Sequence, residues 1–113
     1  MLIDMPLAEM KSYLGSSPRP EDFDRYWADS LAELEATPPE LELTPAKFQA
    51  PNAECFDLRF TGTGGARVYA KLLRPVKTAG KHPAVVQFHG YSGNSGDWSD
   101  KLSYVNAGFT VAS

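Results

Sequence analysis

The hydrophobic positions follow two different periods along the chain. Leu7, Met10 and Leu14 recur at helical spacing and predict a short helix within residues 6–14. The stretch "GSSPRP" breaks it. In "EDFDRYWADSLAELEA", Phe23, Tyr26, Trp27, Leu31 and Leu34 fall on one face at i, i+3, i+4, i+8 and i+11, the strongest helical pattern in the sequence. Glu21 and Asp22 suit the positive end of that helix, and Thr37-Pro38-Pro39 stops it, because proline cannot continue a helix. The apolar face of this helix is expected to be buried against the body of the domain or a neighbouring subunit.

After a proline-spotted connection the period drops from about 3.6 to 2. Phe56, Leu58 and Phe60 alternate with Asp57 and Arg59, and Val68, Ala70 and Leu72 alternate with Arg67, Tyr69 and Lys71. "TGTGGA" joins the two runs, so they predict a β-hairpin. "HPAVVQFHG" then carries an almost unbroken apolar run, the pattern of a strand covered on both faces. In "GDWSDKLSYVNAG", Trp98, Leu102 and Val105 form a helical stripe, with Asp97 or Ser95 as the cap and Gly108 as the terminator. "FTVAS" begins another strand. A strand–helix–strand unit implies a right-handed parallel crossover.

Composition narrows the classes without naming one. At 113 residues the chain has room for one domain, and 42% hydrophobic with 22% charged residues is an ordinary globular mixture. A net charge of −3 favours neither nucleic acid nor an anionic membrane. The apolar runs are too short to cross a bilayer. "MLIDMPLAEMKSYL" lacks the basic and continuous apolar regions of a signal peptide, so a cytoplasmic location is expected. Cys55 is the only cysteine, which excludes an intrachain disulfide and a thiolate metal site.

The candidate chemistry lies in "HGYSGNSGDW", residues 89–98. It is not a G-x-S-x-G nucleophile elbow: in Gly90-Tyr91-Ser92-Gly93-Asn94 and Gly93-Asn94-Ser95-Gly96-Asp97 the second glycine comes one position early, and Asn94 or Asp97 stands where it should be. It lacks the lysine and spacing of a phosphate loop, and Asp97 and Asp100 would repel a phosphate. His89, Asp97 and Asp100 as metal ligands are more simply explained by helix capping. A third possibility is the oxyanion loop of an α/β-hydrolase, where a His-Gly-rich loop after the third strand aims a backbone N–H at the charge developing on a tetrahedral intermediate. One such donor is worth roughly 3 kcal/mol of barrier. The alternative is a tight loop that only turns the chain.

Taken together, "DMPL", "PEDFDRYW", "AECFDLRFTGTGGARVYAKLLRP", "HPAVVQFHGYSGNSGDW" and "LSYVNAGFTV" resemble the acetyl xylan esterase and cephalosporin C deacetylase family, carbohydrate esterase family seven. The resemblance implies an α/β class: residues 1–113 as the N-terminal part of a single α/β-hydrolase domain. Residues 1–37 would be a helical extension and 53–113 the start of the central sheet, built as two helices, a β-hairpin, then strand, oxyanion loop, helix and strand. It implies a serine acyl-enzyme that removes O-acetyl groups from xylo-oligosaccharides and cephalosporin C-type substrates, with no cofactor and no metal. It also implies a homo-oligomer, a hexamer, with neither nucleic acid nor membrane as partner.

Family members are longer. The resemblance places Ser113 inside the fourth strand, with that strand inserted between the hairpin and Ala84–Phe88. The Ser-Asp-His triad would lie C-terminal to this stretch, in the remainder of the same polypeptide. His89 precedes any elbow, so it matches a loop-supporting residue, with Gly90, Ser92 and Gly93, rather than the catalytic base. Tyr91 matches the oxyanion donor through its backbone N–H, and its ring would line the acyl pocket. Ser92, Asn94 and Ser95 match the loop pattern without a chemical role, and His82 is expected at the surface. Two other readings stand beside this one: an α/β-hydrolase carboxylesterase for a different acyl group, and a truncated, non-catalytic oligomerisation or interaction module.

Overall fold

The computed structural model describes residues 4–76 and 80–113. Met1–Ile3, the start of the segment read above as lacking a leader, lies outside them. The chain divides into two compact units, Met1–Ala32 and Glu33–Ser113.

The first unit carries α1 (Leu7–Met10) and most of α2 (Phe23–Ala36). At the start of α2, Arg19 pairs with Asp24 and lies 4.6 Å from the centre of the Phe23 ring. At its end, the Thr37 hydroxyl donates to the Glu33 carbonyl at 2.7 Å, satisfying one of the orphan acceptors there. The apolar side chains of this helix are partly exposed: Phe23 is 41%, Trp27 50%, Leu31 54% and Leu34 49% exposed. Part of the aromatic surface is covered locally instead, with Trp27 tilted against Phe23 at 6.2 Å and edge-on to Tyr26 at 5.8 Å.

The second unit is a five-stranded mixed sheet: β1 (Glu42–Pro45), β2 (Ala53–Thr61), β3 (Arg67–Pro75), β4 (Ala84–Val86) and β5 (Thr110–Ala112). Its order is β1-β2-β3-β5-β4. The expected hairpin is β2–β3, antiparallel from Ala53↔Pro75 to Thr61↔Arg67, and its loop uses Gly64 and Gly65 at φ 64° and 72°. The last strand is inserted as expected: β5 pairs antiparallel with β3 and parallel with β4. β1 was hidden in the proline-spotted connection. It pairs with β2 from Glu42↔Arg59 to Pro45↔Phe56, and Arg67 ties it to the hairpin by reaching Glu42 at 3.2 Å.

The alternating runs form strands, and the unit builds its core on one side of them. Cys55 and Leu73 are opposite one another and fully buried, as is Val111 next to Leu73. With Ala46, Ala53 and Val105 they form one core, against which Phe48, Ala50, Trp98 and Leu102 pack. The larger alternating residues, Phe56, Leu58, Phe60, Val68, Ala70 and Leu72, share the opposite face. The reason is which elements pack where: the 46–50 segment and α3 (Leu102–Asn106) lie on the Cys55 side. Burial pushes the Cys55 thiol up, so this cysteine is a small core residue rather than a thiolate.

β4 was expected to be covered on both faces. Here it is an edge strand, with Val86 62% and Phe88 91% exposed. After it come a loop, one 3₁₀ turn (Ser99–Lys101) and α3. The helix ends as the sequence predicts: Gly108 has φ 88°, its N–H donates to Val105 and the Phe109 N–H donates to Tyr104, the paired bonds of a Schellman motif.

Candidate functional site

The loop from His89 to Trp98 leaves the C-terminal end of β4, beside the equivalent end of its parallel neighbour β5. In open α/β sheets this is where ligands bind, outside the carboxyl ends of the strands.

Its first half is a tight turn. The Gly93 N–H donates to the Gly90 carbonyl at 2.9 Å, and Ser92 at the third position has φ 60°, as in a type II turn. Glycine or asparagine normally takes that position, so a serine there carries backbone strain. His89 Nδ1 lies 2.9 Å from the same Gly90 carbonyl. A carbonyl only accepts, so Nδ1 holds the proton in this arrangement. A side chain at Gly93 would be crowded: a Cβ would stand 3.0 Å from the Gly90 oxygen and 3.2 Å from the His89 Cβ, so the turn would have to shift slightly. His89, Gly90 and Gly93 are thus brought together, and Tyr91 and Ser92 form the tip. Among the described residues, no group accepts a hydrogen bond from the N–H of Gly90, Tyr91 or Ser92. The Tyr91 ring is fully exposed.

The second half is held by side chains. Asn94 Oδ1 accepts the Gly96 N–H at 2.8 Å. The expected cap is not at Asp97 or Ser95: Trp98 and Lys101 stand at the N-cap positions of the 3₁₀ turn and α3, and Asp97 lies one residue before Trp98, where its Oδ1 accepts the Ser99 N–H at 2.9 Å and hydroxyl at 2.8 Å. Asp100 Oδ2 accepts the Asp97 N–H at 2.9 Å. The bonds from the Ser99 N–H and hydroxyl, followed by the charges of Lys71 and Lys101, hold the Asp97 carboxyl below its usual range. The two aspartates therefore serve the backbone. Among the described residues, no group of three or more His, Cys, Asp or Glu side chains could hold a metal ion.

Two lysines that the hydrophobic pattern did not single out meet at this half. Lys101 is only 3% exposed, and its ammonium donates to the Ser95 carbonyl and, at 3.1 Å, to the Asp97 carbonyl. Lys71 of β3 donates to the Gly96 carbonyl between them and stands 5.6 Å from the centre of the Trp98 ring, which stacks on Phe48. The signal available in the sequence was slight: Lys71 shares the Cys55–Leu73 face by strict alternation. His82 differs from the expected surface residue. Its ring is half-buried, with Nε2 2.6 Å from the Thr110 hydroxyl, and so it joins the approach to β4 with β5.

On the opposite face of the sheet an apolar trough of about 360 Å³ runs past the loop, lined by Leu58, Phe60, Val68, Val86, Phe88 and His89 among others.

A mixed sheet with a parallel β4–β5 pair and a glycine loop at the strand ends is the start of an α/β-hydrolase-like fold. More particularly, a model of the acetyl xylan esterase (AXE1) family matches residues 1–113, and the chain belongs to that family. It is similar to the crystal structure of acetyl xylan esterase 1 from Thermoanaerobacterium sp. JW/SL YS485, at 56% identity over 97% of this chain, with a TM-score of 0.87. The acetyl xylan esterase from Paenibacillus sp. R4 shares the fold, at 23% identity over 96% of this chain and a TM-score of 0.78. The chain spans 34% and 35% of the length of those two proteins, about a third of each. Among the described residues no helix is long and apolar enough to cross a membrane.

Proposed function

We propose that residues 1–113 are the N-terminal part of an acetyl esterase acting through a serine acyl-enzyme, and that the loop at 89–98 supplies an oxyanion donor, the Tyr91 N–H. The observation that carries this reading is the turn at Gly90–Gly93. It stands at the C-terminal end of a parallel strand and, among the described residues, leaves consecutive N–H groups without partners in a backbone that is already turned. Donors fixed before the reaction need not reorganise when charge appears on the substrate oxygen. Several of these amides have no partner among the described residues, so Tyr91 is chosen by its match to the family's loop pattern, not by hydrogen bonding alone.

The substrate class proposed is an O-acetylated xylo-oligosaccharide, with the acetoxymethyl arm of a cephalosporin as a second acetyl ester. The nucleophile, acid and base belong to the remainder of the polypeptide. A homo-oligomer, a hexamer, and a cytoplasmic location complete the proposal. The exposed apolar face of α2 is available to such an assembly.

The test is hydrolysis of p-nitrophenyl acetate. The full-length protein should turn it over, and the pure 113-residue chain should not exceed a protein blank, because among the described residues no serine is hydrogen-bonded to a histidine. Turnover by the short chain that disappears in Ser92→Ala or Ser95→Ala would refute this assignment of the loop.

A further inference from the structure

We propose that Lys101, assisted by Lys71, is a positioning residue that sets the oxyanion loop by holding three consecutive carbonyls, those of Ser95, Gly96 and Asp97. The inference rests on the esterase reading above and adds residues outside the turn itself.

A lysine head is rarely buried unless its donors are satisfied. Lys101 is buried in this way, with two carbonyl partners from the loop. Lys71, half-buried on the neighbouring strand, takes the carbonyl in between. Gly96 makes this convergence possible. At φ 62° it turns the backbone there, and a Cβ would stand 2.9 Å from Asp100 Oδ2 and 3.6 Å from the Lys101 ammonium. The carboxylates of Asp97 and Asp100 offset the closeness of the two cations, and burial together with the Lys71 charge holds Lys101 below the ordinary lysine value. The lysines therefore anchor one end of the loop to β3 and to the first turn before α3. Only Asn94 separates that anchored end from the Gly90–Gly93 turn. An error of even about 1 Å in a catalytic group can cost on the order of a hundredfold in rate. The lysines thus act through placement of the Tyr91 N–H, without touching substrate.

The experiment uses the full-length protein, with p-nitrophenyl acetate as substrate and phenylboronic acid as the tetrahedral analogue. Lys101→Met should lower kcat by about tenfold or more with KM within about twofold, and weaken boronate binding by the same factor. Lys101→Arg, which keeps the charge, should recover part of both. Lys71→Met should show the same split to a smaller extent, and it supplies the test on a folded protein if Lys101→Met fails to fold. Variants whose kcat and boronate affinity stay within about twofold of the parent would overturn the proposal, as would a kcat loss with no loss of boronate affinity. An inactive parent would instead refute the esterase reading on which the proposal stands.

Discussion

The two faces of the sheet are unequal. The Cys55 face carries small or medium side chains, Ala53, Cys55, Leu73 and Val111, and buries them completely or nearly so. The Phe60 face carries larger ones, yet Val68 is 38% and Val86 62% exposed, and an open trough runs along it. Burial here follows the covering elements, not the size of the side chains. The Cys55 face has Phe48, Trp98, Leu102 and Val105 above it, and the lysine-pinned end of the glycine loop lies on that same side. The exposed face is the kind of contiguous apolar surface that soluble chains seldom leave uncovered. We therefore attribute its cover to the rest of the enzyme proposed above.

Leu73→Ala should break the closed side. It removes a fully buried leucine and should cost about 2–5 kcal/mol, read as the shift in a denaturant midpoint of the full-length protein. Phe60→Ser sharpens the contrast. It should destabilise the full-length protein but leave the solubility of the 113-residue chain unchanged or improved. Equal effects in both lengths would mean that the trough is an ordinary surface.

Next in size are changes at the loop tip. Tyr91→Pro deletes the N–H and should reduce kcat/KM in the full-length protein by at least about a hundredfold, whereas Tyr91→Phe keeps the donor and most of the activity. A proline variant as active as the parent would remove Tyr91 from the oxyanion role.

On the pinned half, Gly96→Ala should cost on the order of 1–2 kcal/mol, because alanine is disfavoured at positive φ and its Cβ meets Asp100. Gly90→Ala, where a Cβ meets nothing within 4 Å, is the control and should cost less. The reverse order, measured by thermal melting, would contradict the loop geometry.

The smallest effect is a pH dependence. The Asp97 carboxyl titrates below its unfolded value, so its contribution to stability is present above about pH 4 and is lost as pH falls through the lower folded value. Asp97→Ala should lower the melting midpoint at neutral pH, and the gap to the parent should close in acid. A gap that stays constant with pH would show that the carboxylate's charge does not matter to its bonds with Ser99.

Much of this architecture was legible in the chain. The change of period from Trp27 to Phe56 marks helix and strand, and Gly108 marks the end of α3. The inserted position of the last strand was correctly inferred from the resemblance. Strand β1 was not legible, because Glu42–Pro45 is short, holds one apolar residue between polar neighbours and ends in proline. Nor was the side of the core: alternation tells which residues share a face, but not which face other elements will cover. The tight turn at Gly90 was signalled by its glycines. The lysine cluster was not, since Lys101 reads as an ordinary charged position before a helix. Its burial depends on carbonyls that converge only once Gly96 has turned the backbone.

In the proposed enzyme the Tyr91 N–H meets an oxyanion formed by a serine outside residues 1–113. The most direct test is a crystal structure of the full-length protein inactivated by a p-nitrophenyl phosphonate ester, whose phosphoryl oxygen stands where the oxyanion forms. Phosphorus is expected on a serine beyond residue 113, with that oxygen about 2.7–3.1 Å from the Tyr91 nitrogen. Phosphorus on Ser92 or Ser95, or an oxygen served only by donors outside residues 89–98, would contradict it.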